Sequence, residues 1–243
     1  MSLSILIPCR NEKDTISYSI KLLIKKISSK IKNFEIIVIN DFSSDNTLKI
    51  ISKLSKKYKV VKSINNKRKG LGGAINLGIK NSSKDYIVIF MADLSDDIND
   101  LIKYYKTIKK YNLDAVLGSR FIKKKSIKNY PLKKLIYNRI FNLFVKIIFF
   151  SNYNDFTNAF KIYKKRSILQ LMPFISENFN IFLEIPLKLI VRKKKYKIIP
   201  IKWKGRKLGK AKFKIKELGS KYLFTLLYCF FEKILLKNSD SIK

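Results

Sequence analysis

Histidine is absent from this 243-residue chain. That excludes a histidine general base, a Ser-His-Asp triad and any histidine-ligated zinc. Cysteine is nearly absent: Cys9 and Cys229 lie far apart, form no metal spacing and fit a reducing compartment. Acid is scarce as well, with 17 Asp and Glu against 53 Lys and Arg, for a net charge of +36. No apolar run approaches the ~20 residues that span a bilayer. The N-terminus lacks the basic start and long apolar run of a signal peptide, and reads instead as a strand. No recognised nucleic-acid motif occurs and the basic residues are dispersed, so no nucleic-acid partner is expected. Charge this one-sided points to other anionic partners, phosphorylated substrates or anionic lipid. The alternative is drift in a chain crowded with Lys, Ile and Asn.

Against that background the acids that follow Tyr86-Ile-Val-Ile-Phe-Met91 stand out. The run is short, apolar and β-branched, and reads as a buried strand of a parallel sheet. It ends in Asp93, Asp96 and Asp97. Ligands of open α/β sheets bind at the carboxyl ends of the strands, so these acids lie where chemistry is expected. An acid cluster there invites a hard divalent cation, Mg²⁺ or Mn²⁺, which takes oxygen ligands and is shared with substrate phosphates. Asp97 and Asp100 are expected instead to cap the following helix.

Periodicity predicts strands at 3–7, 34–39, 60–64, 86–91 and 114–117. Helices are predicted near 14–29, 47–57, 70–80 and 99–110. This alternation is the signature of an α/β fold, a mostly parallel central sheet flanked by helices. Beyond residue 121 the pattern changes. A long helix at 133–150 carries Lys134, Asn138, Arg139, Asn142 and Lys146 on one side and a wide apolar face on the other. A strand at 159–163, helices at 165–172 and 179–192, a strand at 197–203, a basic loop at 204–214 and a terminal helix at 216–236 follow. One catalytic unit over 1–214 and a C-terminal helical segment over 215–243 are expected.

Asp41, closing the second strand, either reaches a ribose hydroxyl or base edge, or forms a turn. Gly70-Leu71-Gly72-Gly73 opens a helix beside Lys67, Arg68 and Lys69. It either lets backbone N–H groups approach phosphate or is a flexible turn. It matches neither the P-loop nor the dinucleotide fingerprint.

The stations together are more specific. Pro8-Cys-Arg-Asn-Glu12, Asp41, Arg68-Lys-Gly70 with Ala74, Ala92-Asp93 and Gly118-Ser-Arg-Phe121 follow in order. They are joined by Asp155-Phe-Thr-Asn-Ala-Phe-Lys161, Glu184, and Arg206 with Gly209-Lys-Ala-Lys-Phe213. This order resembles the family-2 glycosyltransferases, and within them the dolichyl-phosphate mannose synthase group. The resemblance implies a GT-A-type fold with C-terminal amphipathic helices. It implies an inverting transfer of a hexose from a GDP- or UDP-sugar to polyprenyl phosphate. The alternatives are transfer to a saccharide hydroxyl in cell-surface polysaccharide assembly, and an inactive relative that keeps only nucleotide-sugar binding. Pro8, Arg10, Glu12 and Asp41, with Lys69, Gly70 and Ala92, would hold the donor, and Asp93 with Ser95 the metal. Asp93, Arg120 and Asp96 are the candidate catalytic residues. Arg120, Arg139, Arg206 and Lys212 are candidates for phosphate, though Arg139 also reads as part of a charged helix face. The group carries Asp-Ala-Asp at the fourth strand's end, where this chain has Met91-Ala-Asp93. A thioether does not suit Mg²⁺. A peripheral location on the inner, cytoplasmic face of the membrane is expected. The 133–150 helix and the 222–231 run would supply interfacial contact, or the latter would simply pack on the sheet.

Overall fold

The computed structural model describes residues 1–206 and 215–240, with the side chains of the last helix given over 219–236. Its seven-stranded sheet has the order β3-β2-β1-β4-β7-β5-β8. The strands are β1 (Leu3–Cys9), β2 (Phe34–Asn40), β3 (Val61–Asn65), β4 (Tyr86–Ile89), β5 (Ala115–Ser119), β7 (Lys161–Lys164) and β8 (Tyr196–Pro200). All pairings are parallel except those of β7, which runs against both β4 and β5. The carboxyl ends of β1, β2, β4, β5 and β8 therefore share one edge.

The inner strands β1, β2, β4 and β5 are buried throughout, which is why they read as largely apolar runs, whereas the edge strands β3 and β8 are only partly covered. Alternate residues serve two clusters. Leu6, Ile37, Ile39, Ile87 and Ile89 face α3 (Leu71–Asn81), α7 (Ile181–Val191) and α8 (Ile215–Asp240). Ile5, Ile7, Ile36, Val38 and Val88 face α1 (Ile16–Ile27), α2 (Thr47–Lys57) and α4 (Ile98–Lys110). The predicted strand at 197–203 is two. It breaks after β8, and β9 (Trp203–Lys204) pairs instead with β6 (Ile127–Lys128) in a separate small sheet. Pro200, which donates no N–H, ends β8.

α5 (Leu132–Ile148) turns the side carrying Asn138, Asn142 and Val145 inward and leaves Lys134 and Arg139 exposed. Asn142 and Val145 are its buried residues. Asn142 Nδ2 donates to Thr157 Oγ1 (3.3 Å), and its Oδ1 accepts from the Phe156 N–H (2.5 Å). Ile136, Tyr137, Ile140, Leu143, Phe144 and Ile147 are exposed. α8 runs beside it in the same direction: Phe141 meets Tyr222 and Phe149 meets Phe230, ring on ring. Tyr222, Leu226 and Cys229 enter the core, while Leu223, Phe224, Leu227 and Phe231 point outward.

At the opposite edge of the sheet Glu35 ties β1, β2 and β3 together. It accepts from Ser4 Oγ (2.6 Å) and the Ser83 N–H (2.6 Å), and pairs with Lys62 (2.7 Å). Burial pushes its pKa up, but Lys62, Ser4 and Ser83 outweigh that and hold it at about 2, below its ordinary 4.5. A carboxylate depressed in the folded state contributes stability above pH 4.5 that is lost as pH falls toward 2. Glu35→Gln is therefore expected to cost on the order of 2 kcal/mol at neutral pH, allowing for solvent screening at Lys62, and almost nothing near pH 2. Urea denaturation at both pH values checks this. An equal loss at both would refute it.

Candidate active site

Three strand ends meet at the carboxyl edge. After each, the backbone turns through a left-handed residue: Asn11 (φ 51°), Phe42 (φ 53°) and Leu94 (φ 56°). Asparagine tolerates this conformation, whereas phenylalanine and leucine each lose about 1 kcal/mol or more by it. Such strain persists only where contacts over-determine the backbone, and it clusters at functional sites. Here the first loop is laced to the second. The Asn11 N–H donates to Ser43 Oγ (3.0 Å), Asn11 Oδ1 accepts from the Ser44 N–H (2.8 Å), and the Glu12 N–H donates to Thr47 Oγ1 (2.8 Å). Pro8 and Glu12 are buried and Arg10 is half-buried between them.

Asp41 follows β2 and is buried. Its Oδ1 accepts from Asn66 Nδ2 (2.8 Å) and from the Gly70 N–H (2.9 Å). The glycine turn does not present its N–H groups as a phosphate cradle. The Gly72 N–H donates to the Glu177 carbonyl (2.8 Å). A Cβ on Gly70 would lie 2.4 Å from that same oxygen, and one on Gly72 would lie 1.9 Å from the Ser176 carbonyl oxygen. The glycines are there to admit the backbone of residues 176–177. Arg68 pairs with Glu177, and Lys69 stays exposed. Glu184 holds the far side of this contact, accepting from the Ile175 N–H (2.9 Å) and the Ser176 N–H (2.8 Å). Its own charge is met by Lys188 at 3.1 Å, both side chains fully buried.

Past β8 the chain crosses back over the acids. The Lys202 N–H donates to Asp100 Oδ2 (2.8 Å) and the Lys204 N–H to the Ser95 carbonyl (3.0 Å). Arg206 is thereby delivered between two acids. Its Nη2 lies 2.9 Å from Glu12 Oε1 and its Nε 3.3 Å from Asp93 Oδ2. Asp97 caps α4 as expected, accepting from the Asn99 N–H (2.8 Å). Asp100 does not cap. Its carboxylate pairs with Lys103 Nζ one turn on (2.8 Å) and is drawn off by the Lys202 N–H, a tertiary contact that helix rules do not foresee. Asp96 is buried, and its Oδ2 has no hydrogen-bond partner among the described residues. Burial first, then the neighbouring Asp93, push its pKa up to about 8, against the opposing pull of Arg120.

Among the described residues no three His, Cys, Asp or Glu side chains gather into a metal cage. Met91 packs against the core. Asp93 is partly exposed, and its Oδ1 is oriented by the Ser95 N–H (3.1 Å). Ser95 itself is buried and Ala92 lies buried beside Asp93. These donors fit a hard cation shared with substrate phosphates rather than one caged by protein.

Arg120 is buried and clasped by Asp155 in fork geometry, Nε to Oδ2 at 2.8 Å and Nη2 to Oδ1 at 2.6 Å. The Arg120 N–H also donates to Asp155 Oδ2 (2.8 Å). The guanidinium lies over Phe121 (5.4 Å) and Trp203 (5.7 Å), and exposed Arg139 over Phe121 as well (5.7 Å). Thr157 joins Arg120 to Asn138 and Asn142 of α5. So Glu12, Asp41, Asp93, Asp96, Arg120, Arg139 and Arg206 share one end of the sheet. Lys212 lies outside the described residues. Asn66 is a contact that sequence reasoning did not find. Its one local signal is a polar side chain directly after β3, at the same edge as the other loops.

The sequence model of the family described as glycosyl transferase family 2 matches residues 4–172. The chain belongs to glycosyltransferase family 2. A dolichol-phosphate mannosyltransferase of Pyrococcus furiosus is 34% identical to this family 2 member over 139 residues, which cover 56% of this chain and 38% of that protein. A poly-beta-1,6-N-acetyl-D-glucosamine synthase of Staphylococcus aureus is 33% identical over 117 residues, covering 48% of this chain and 27% of that protein. The chain thus spans well under half the length of these curated relatives. The crystal structure of glucosyl-3-phosphoglycerate synthase from Mycobacterium tuberculosis, in complex with Mn²⁺, UDP and glucosyl-3-phosphoglycerate, superposes with a TM-score of 0.71. It covers 94% of this chain and 79% of that chain at 14% identity, so the likeness is one of fold. The family 2 member has the α/β architecture of the GT-A glycosyltransferases.

Proposed function

We propose that this protein moves a hexose from a nucleotide diphosphate sugar to a polyprenyl phosphate, with inversion at the anomeric carbon. The observation that carries the reading is the convergence of Glu12, Asp41 and Asp93 at adjacent strand ends, with Arg206 spanning Glu12 and Asp93. Glu12 and Asp41, with Pro8, Arg10, Lys69, Gly70 and Ala92, line the nucleoside side. A Mg²⁺ or Mn²⁺ held by Asp93, with Ser95 beside it, would neutralise charge on the leaving diphosphate. Arg206 is positioned to add a second positive charge to that diphosphate. A phosphate acceptor is already an anion near neutral pH, so attack needs no general base, in keeping with a chain without histidine. Arg139, stacked on Phe121 beside the clasped Arg120, is the exposed cation for the acceptor's phosphate.

The outward apolar faces of α5 and α8 favour a lipid acceptor over a soluble one. Exposed apolar side chains side by side on two helices are what an interfacial contact requires. Among the described residues no helix is long and apolar enough to cross a membrane. Peripheral attachment to the inner, cytoplasmic face is part of this proposal, with residues 1–214 as the catalytic unit and 215–243 as part of the attachment. The double variant Phe144→Ser/Phe231→Ser is expected to lower partition onto vesicles containing phosphatidylglycerol by at least about tenfold, read by cosedimentation. Undiminished partition would count against this face.

Asp96 favours a second reading. A carboxyl with a pKa of about 8 in the site suits a base for a saccharide hydroxyl acceptor. The two are separated by incubating the protein with a panel of nucleotide sugars and Mn²⁺, offering either short polyprenyl phosphates or oligosaccharides, and reading product by mass. Product on oligosaccharide alone would replace the first reading with the second.

A further inference from the structure

We propose that the nucleoside end of the site selects a uracil nucleotide over a guanine nucleotide, because Asn66 and the Gly70 N–H leave Asp41 a single oxygen with which to read a base. The inference rests on the donor-site reading above. A carboxylate oxygen offers two lone-pair directions, and both on Asp41 Oδ1 are taken, by Asn66 Nδ2 and the Gly70 N–H. Oδ2 accepts no hydrogen bond among the described residues.

Neither donor on Oδ1 is free to leave. Asn66 is buried and its N–H donates to the Asn40 carbonyl (2.9 Å); the two hydrogens of its Nδ2 serve Asp41 Oδ1 and the Arg68 carbonyl (2.5 Å), with the Gly70 carbonyl 3.1 Å away. Gly70 stands at φ 129°, open to glycine but not to other residues, with residues 176–177 packed against its turn and Glu184 behind them. The filled oxygen is therefore a fixed part of the site, set by the turn that follows β3.

Guanine's pairing edge carries two adjacent donors, N1–H and the N2 amine, which a carboxylate reads with both oxygens. Uracil's edge carries one donor, N3–H, between two carbonyl acceptors. A single open oxygen satisfies uracil's one donor. Guanine would leave one donor without its in-plane partner at a buried carboxylate, a loss of tenfold or more in affinity at about the usual value of such a bond. Cytosine fares no better, since its N3 lone pair faces the carboxylate.

Isothermal titration of the protein with UDP, GDP and CDP in turn, each with Mn²⁺, tests this. The expected result is UDP bound at least about tenfold more tightly than either of the others. GDP bound as tightly as UDP, or more so, overturns the inference and leaves the donor site standing. Binding of none of the three overturns both. Asn66→Ala returns one lone pair to Oδ1 and is expected to narrow the UDP-to-GDP ratio several-fold. An unchanged ratio in a variant with a normal thermal transition removes Asn66 as the determinant. The wild-type comparison stands by itself should that variant fail to fold.

Discussion

Asp93→Ala is expected to lower kcat for sugar transfer by about 10³-fold or more while leaving the fold intact. The two halves of that expectation have separate causes. Asp93 is the partly exposed carboxylate that ends the central strand, and the adjacent carboxyl, Asp96, is buried with a raised pKa. Asp97, the other partly exposed acid at that strand end, is engaged in capping α4, so removing Asp93 takes away the carboxylate best placed to hold a cation against a diphosphate. Its structural ties are slight: one bond from the Ser95 N–H and one ion pair to Arg206, which keeps Glu12 as a partner. Circular dichroism and the melting temperature should stay near wild type. Added Mn²⁺ should not rescue the variant. Transfer within tenfold of wild type would remove Asp93 from the chemistry.

Asp155→Ala is expected to produce the opposite pattern, a large loss of stability. Asp155 takes three hydrogen bonds from Arg120, one of them from its backbone. Both side chains are buried. Truncating one partner strands the other's charge in the interior, which costs about 3–5 kcal/mol. For a chain of this size that lowers Tm by roughly 10 °C. The double variant Arg120→Met/Asp155→Leu removes both charges and is expected to recover much of the loss. Calorimetry of the three proteins decides the matter. A double variant as unstable as the single one would show that the cost lies elsewhere than in the unpaired guanidinium.

The inner strands were legible because they are buried on both faces, so β1, β2 and β4 print as runs rich in Ile, Leu and Val. The acids were legible because strand ends at one edge are where α/β sheets bind ligands, and acids are rare in this chain. What the sequence hid is tertiary. The glycine turn reads either as a place for phosphate or as a flexible turn, because nothing local tells an incoming phosphate from an incoming carbonyl of residues 176–177. Asp100 looked like a cap because the N–H that claims it belongs to Lys202, on the far side of the chain's return over the site. α5 turns its apolar face outward, as the interfacial contact expected of it requires. What the sequence does not show is the hold behind that reversal of the ordinary rule, the Asn142 amide closing on residues 156–157.

That reversal joins two things usually kept separate. The helix whose greasy side is turned outward grips, through a pair of asparagines on its inner side, the threonine that touches the Arg120 guanidinium. On the membrane attachment proposed above, an oily layer taking up the outer side of α5 would lean on the site through a linkage only two residues deep. Adsorption and turnover would then share one mechanical part.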